Sequence, residues 1–295
     1  MSVANVSLNV YSIEKSLQFY RDLLGFQLTE KASDDNASLS SIGSNNKRYL
    51  LHLNRVDAAN RVIEGEQSII RQAGLYHFAI LLPSRSKLAN IFKHLTESPD
   101  QLYFEGAADH GVSESLYLRD PDSNGVEIYR DRHQSEWKRT GKYQVEMKTE
   151  HLNLKELLRE ANDQVDWRMP ANTVIGHLHL QVSNLILSKR FYSEILGLHH
   201  TCSYPGANFF AADSYHHHIA TNTWLGNDIV SADSGQVGLD HFSLNLQSKE
   251  NFEELLHQIE RMKLEVLWDD TNEKINNAAF FILDPDKIKI QIHYQ

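Results

Sequence analysis

"SLNVYSIEKSLQFYRDLLGFQL" (residues 7–28) returns later in the chain as "HLQVSNLILSKRFYSEILGLHH" (residues 179–200). Val10 matches Val182, Phe19-Tyr20 matches Phe191-Tyr192 and Gly25 matches Gly197, all at one offset of 172. A constant offset marks a duplicated unit, because a chance likeness does not keep register over a whole stretch. Each copy predicts a short alternating strand, then a helix carrying the Phe-Tyr pair, then a glycine at the helix C-terminus.

A second duplication interleaves with the first. "GLYHFAILLP" (74–83) returns as "GLDHFSLNLQ" (238–247), which sets His77 on His241. "YLRDPDSNGVEIY" (117–129) returns as "FILDPDKIKIQIH" (281–293), which sets Asp120-Pro121 on Asp284-Pro285 and Glu127 on Gln291. Both share an offset of 164. "KLANIFKHLTES" (87–98) and "NFEELLHQIERM" (251–262) supply the helices of these units. The chain thus reads as an α+β protein of four βαβββ modules, one to four in chain order. Residues 3–132 hold modules one and two, and residues 173–295 hold modules three and four. Between them, 133–172 reads as a linker with one amphipathic helix, since Leu154, Leu157 and Leu158 recur at helical spacing and Pro170 closes the segment. A plain spacer is the expectation for it.

Bulk composition narrows the function. A chain of 295 residues that is 41% hydrophobic and 23% charged suits two ordinary globular domains. A net charge of −10 with no basic patch excludes a nucleic-acid binder. The single cysteine, Cys202, excludes an internal disulfide framework and fits a reducing compartment. The N-terminal residues do not read as a signal peptide, and no apolar run approaches the roughly 18 residues of a membrane span. A cytoplasmic protein is expected, with a homo-oligomer left open.

Paired βαβββ units curved around a cleft resemble the vicinal-oxygen-chelate superfamily, the glyoxalase and extradiol dioxygenase fold, over nearly the whole length. The resemblance implies two such domains. It also implies metal ligands on the first strand of an odd module and on the first and last strands of an even one. The matching positions are Asn5 and His177 in modules one and three, His77 and Glu127 in module two, and His241 and Gln291 in module four. Pairing one with two gives Asn5, His77 and Glu127; pairing three with four gives His177, His241 and Gln291. Each set contains a neutral amide, a poor ligand for a divalent ion. Pairing the middle modules gives His77, Glu127 and His177, the two-His-one-carboxylate set of non-haem Fe(II) sites. His52 and His241 belong to no complete set and read as ordinary core histidines.

Within the superfamily the residues around Glu127 are similar to the signature of extradiol ring-cleaving dioxygenases, closest to the bacterial catechol 2,3-dioxygenases. It runs Ala108, His110, Leu116-Tyr117, Asp120-Pro121 and Glu127, departing at Ala108 and at Ser123, where glycine is usual. In "YHHHIATNTW" (215–224) the resemblance implies an acid–base histidine, and alignment on Ala220 selects His217. On a strand, His217 would point opposite to His216 and His218. The implied function is O2-dependent cleavage of a small aromatic diol at Fe(II), with Mn(II) as the alternative ion. His217 would move protons, and Tyr117 and His110 would fix the substrate oxygens. Asp120-Pro121 is expected to be structural. A glyoxalase-type isomerase or lyase would use a second carboxylate where His216 to His218 stand. A non-catalytic binding protein of the same fold commonly lacks the triad.

Overall fold

In the computed structural model the described residues are 1–29, 33–41, 49–57, 71–98, 104–162, 167–227, 229–231, 235–268 and 279–294. Module one comprises β1 (Ser2–Val10), α1 (Ile13–Leu17), β2 (Gln27–Leu28), β3 (Asn36–Ser40) and β4 (Leu51–Arg55). Module two comprises β5 (Gly74–Leu81), α2 (Arg85–Thr96), β6 (Phe104–Asp109), β7 (Ser113–Arg119) and β8 (Gly125–Asp131). A short strand β9 (Glu150–His151) and helix α3 (Leu154–Leu158) follow. Module three has β10 (Val174–Gln181), α4 (Leu185–Arg190), β11 (His199–Tyr204), β12 (Ala207–Ala211) and β13 (Ile219–Asn222). Module four has β14 (Gly238–Leu246), α5 (Lys249–Arg261), β15 (Leu267–Trp268), β16 (Ala279–Leu283) and β17 (Lys289–Tyr294).

Local chemistry repeats with the modules. Ser12 caps α1 by accepting from the Lys15 N–H, and Asn184, at the matching position, caps α4. Ser84 and Ser248 cap α2 and α5 in the same way, so these helices start two residues ahead of the apolar pattern that predicts them. A capping oxygen satisfies a backbone donor that the first helical turn leaves unpaired. The Phe-Tyr pairs lie in a π-helical turn that continues α1 and α4, and Gly25 and Gly197 end those turns at φ 80° and 71°. Only glycine adopts that conformation without a steric penalty.

The strands assemble into two sheets, ordered β15-β16-β17-β14-β1-β4-β3-β2 and β11-β12-β13-β10-β5-β8-β7-β6-β9. The outer modules, one and four, join through antiparallel β1 and β14; the middle modules join through antiparallel β5 and β10. Each sheet therefore draws one module from each sequence half. The two modules within each half are tied instead by side chains. Tyr20 of module one donates to Asp120 of module two at 2.7 Å, and Tyr192 of module three donates to Asp284 of module four at 3.0 Å. Both tyrosines are fully buried, within a core cluster that draws residues from both sheets. Asp120-Pro121 is structural, as expected, but through the carboxylate. Asp120 also accepts from the backbone N–H groups of Asp122 and Asn124 and from the Asn124 amide. Ser123, where glycine is usual, takes the left-handed conformation at φ 67°, as does its counterpart Lys287 at 63°.

The segment after module two is more than a spacer. β9 adds to the edge of β6, Trp167 donates to the Leu24 carbonyl, and Met169 donates to the Gly25 carbonyl. The leucines of 154–158 form a helix, as their spacing predicts. Among the described residues no helix is long and apolar enough to cross a membrane.

Candidate metal centre

Register on three adjacent strands builds the centre. His177 on β10 lies opposite Ala79 on β5, and Ala79 lies beside Glu127 on parallel β8. Residues abreast on neighbouring strands share a face, as do residues two apart along one strand. His77, Ala79, Glu127 and His177 thus project to one side. The ligand atoms of His77, Glu127 and His177 all lie within 4.8 Å of one another. His77 Nε2 is 3.0 Å and His177 Nε2 3.1 Å from Glu127 Oε2. The other carboxylate oxygen, Oε1, accepts from the Ser115 hydroxyl at 2.6 Å. Between Glu127 and His177 stands only the methyl group of Ala79.

Two glycines admit this packing. A Cβ at Gly125 would meet the Tyr76 carbonyl oxygen at 2.1 Å, against the backbone that carries His77. One at Gly176, where β10 bulges just before His177, would meet the Tyr129 hydroxyl at 1.8 Å.

Charge decides what the cluster can hold. Burial opposes ionisation of Glu127, but the charge and hydrogen bonds of His177 and His77 outweigh it and hold the carboxyl well below its usual range. Burial pulls the His177 pKa down, favouring neutral imidazole despite the carboxylate. Neutral imidazole and ionised carboxylate are the forms that bind metals. A buried carboxylate is costly without a counter-charge, and a divalent cation held by the same side chains would supply one. The donor set, two imidazoles and one carboxylate with ligand atoms within 4.8 Å of one another, fits a divalent ion.

The cluster sits in a cavity of about 330 Å³ whose walls include Tyr76, Phe209 and Trp224. Tyr117 and His110 line it together, their Oη and Nε2 2.6 Å apart. His110 Nδ1 is 2.8 Å from the Lys148 carbonyl and must donate to it, so Nε2 accepts and Tyr117 donates. Burial and the Glu127 charge push the Tyr117 hydroxyl well above its usual pKa, which keeps its proton on. Lys148 lies in the segment between the sequence halves, so that segment furnishes part of the wall.

His217 lines the cavity beside His177, with ring centroids 4.2 Å apart. Burial first, then the neighbouring His177 and His216, holds its pKa well below the usual value. The expectation that His216 to His218 alternate along a strand is not met: they precede β13, which starts at Ile219. An irregular turn need not alternate, and here the His216 and His217 rings meet edge to edge, with their Nδ1 atoms 2.8 Å apart. Sequence reasoning also passed over His179, buried in the cavity wall opposite His77. Its position two residues after His177 put it on the same face of one strand, a signal that was available. Ser115, Ala79, Asp131 and Tyr215 were missed because their roles arise across strands.

The model of the Glyoxalase/Bleomycin resistance protein/Dioxygenase superfamily matches residues 2–128 and 174–292. The chain is 39% identical over 259 residues to the catechol-2,3-dioxygenase of Bacillus subtilis (strain 168), covering 87% of each chain. Among solved structures, a protein of Bacillus subtilis subsp. subtilis str. 168 superposes with a TM-score of 0.66 at 12% identity, over 100% of this chain and 85% of that one. Glyoxalase I from Zea mays superposes with a TM-score of 0.55 at 15% identity, over 99% and 92%. Identities this low speak to the fold alone.

Proposed function

The chain belongs to the Glyoxalase/Bleomycin resistance protein/Dioxygenase superfamily, and from that premise we propose that it is an extradiol dioxygenase cleaving a catechol-type ring with O2. The observation that carries this is the meeting of His77, Glu127 and His177, two imidazoles and one carboxylate, inside a cavity lined by further proton-handling groups. In this reading the triad holds Fe(II), with Mn(II) as the alternative. The ion would supply a Lewis acid for the diol oxygens and a path for electrons between ring and O2.

The protein's own groups do the rest. His217, neutral through burial, accepts a proton from the diol and returns one to the product. Tyr117 has its proton committed to His110, so its oxygen accepts a hydrogen bond from a diol hydroxyl. His110, fixed by the Lys148 carbonyl, keeps that hydroxyl oriented. The apolar wall excludes water from the reacting oxygens. A glyoxalase-type site would add a second carboxylate to the cluster, and among the described residues the cluster has three members, with Glu127 as its one carboxylate.

The test is to load purified protein with Fe(II) anaerobically and mix it with catechol and O2. The expected outcome is O2 uptake with a yellow ring-fission product. No uptake across catechols and hydroquinones, together with turnover of a thiol adduct of methylglyoxal, would replace the proposal with an isomerase.

A further inference from the structure

His217 ends a run of hydrogen bonds whose direction, with one proton on each imidazole, is set by Asp131. Asp131 lies on β8, four residues past Glu127. Its Oδ1 is 2.8 Å from His216 Nε2, and its Oδ2 accepts from the Tyr215 hydroxyl at 2.8 Å. A carboxylate only accepts. With its proton committed to Asp131, Tyr215 receives the Tyr129 hydroxyl's proton at 2.9 Å. On the other arm, a singly protonated His216 donates from Nε2 and leaves its Nδ1 a bare acceptor. That atom is 2.8 Å from His217 Nδ1, which must therefore carry the proton. A neutral imidazole has one proton, so His217 Nε2 is left with a lone pair. His216 is fully buried, and the side chain of Asp131 is 24% exposed, so the run links the cavity wall to the protein surface.

We propose that Asp131, acting through His216, is the positioning residue that holds His217 in the tautomer whose Nε2 presents a lone pair to the cavity; what that lone pair does rests on the dioxygenase reading above. The Tyr129–Tyr215 arm matters because it occupies Oδ2 and leaves Oδ1 to His216. The Phe209 ring, 5.0 Å from that of His217 and nearly perpendicular to it, packs against it as a further wall. An imidazole left free to exchange tautomers would present Nε2–H for part of the time, and an N–H cannot accept the diol's proton.

The test reads the tautomer directly, by the imidazole ¹⁵N resonances of the full-length chain loaded with Zn(II) as a diamagnetic stand-in. Assignments come from His216→Gln and His217→Gln. The expected wild-type pattern is Nδ1–H on His217 and Nε2–H on His216. Asp131→Asn replaces an acceptor with a group that also donates, so it should populate the opposite tautomer. In the Fe(II)-loaded form that variant should lose about 10- to 100-fold in kcat for catechol, at or below the low end for removing an acid–base group outright, with KM nearly unchanged. His217 carrying Nε2–H in the wild type overturns the proposal. So does an Asp131→Asn protein that sheds iron and raises KM with its tautomer intact, which would make Asp131 a structural prop. A wild-type protein that shows the expected tautomer yet opens no diol ring upholds the Asp131 assignment and defeats the dioxygenase reading.

Discussion

The two sheets fill the same three positions in different ways. Abreast on β10, β5 and β8 stand His177, Ala79 and Glu127; abreast on β1, β14 and β17 stand Asn5, Ser243 and Gln291. Ser243 lies 2.9 Å from Asn5 Oδ1 and 2.7 Å from Gln291 Oε1, so one hydroxyl fills the centre and bridges two amides. Ala79 stops at its methyl group and offers no such hydroxyl. His241, the counterpart of His77, is held 2.6 Å from the carboxylate of its neighbour Asp240. The outer centre is satisfied by its own side chains, while the middle one sets a buried carboxylate against two imidazoles, a set that a divalent cation would complete. The residue between the candidate ligands therefore separates the two centres as much as the candidate ligands do.

The largest effect should come from making the middle centre resemble the outer one at its charge. Glu127→Gln copies Gln291 and should abolish metal binding, with ring cleavage falling further than the roughly 10- to 100-fold that outer-shell losses cost. His241→Ala should leave bound metal unchanged. Metal content by atomic emission decides, and a full complement in Glu127→Gln would sink the comparison.

A smaller effect is expected from Ala79→Ser, which copies Ser243. The hydroxyl would bond to Glu127 and occupy the space between ligands, weakening metal affinity by about 10- to 100-fold while leaving the fold intact. Competition with a chelating dye measures this, and an unchanged affinity would mean that the lack of a hydroxyl at Ala79 is incidental.

The tyrosine ties sharpen the comparison on the side of stability. Asp120 keeps two backbone donors and the Asn124 amide when Tyr20→Phe removes its hydroxyl; Asp284 keeps only two backbone donors when Tyr192→Phe does the same. Each loss should cost about 1–3 kcal/mol, with the Tyr192 variant the more damaged. Denaturant unfolding of the pair tests the order, and equal losses would refute it.

The smallest effect is a pH dependence. Burial, with the Asp286 charge adding to it, raises the Asp284 pKa to about 7 against three donors; the corresponding Asp120 has the Asn124 amide as a fourth donor, where module four has Ile288. An unfolded aspartate titrates near 3.9, so the folded state binds this proton more tightly than the unfolded chain does. Its contribution to stability is complete below the unfolded pKa and fades as pH rises through about 7. Between pH 5.5 and 8 the wild type should therefore lose more Tm than Asp284→Asn, and parallel pH profiles would count against it.

Two constant offsets in the sequence were enough to determine four modules and their helices, and the resemblance to the vicinal-oxygen-chelate superfamily supplied the positions at which ligands could stand. Register survives in sequence because strand alternation and helix capping are local and each module needs the same ones. His77, Glu127, His177, Tyr117, His110 and His217 were nameable from those positions, and all six line one cavity. The sequence favoured pairing of the middle modules only because that pairing completes a ligand set; the tertiary structure decides it, since pairing of β10 with β5 is a contact between residues far apart in the chain. It also decided the roles of Ala79 and Asp131. A methyl group matters only when two ligands flank it on neighbouring strands, and a carboxylate directs protons only once His216 and Tyr215 have folded onto it.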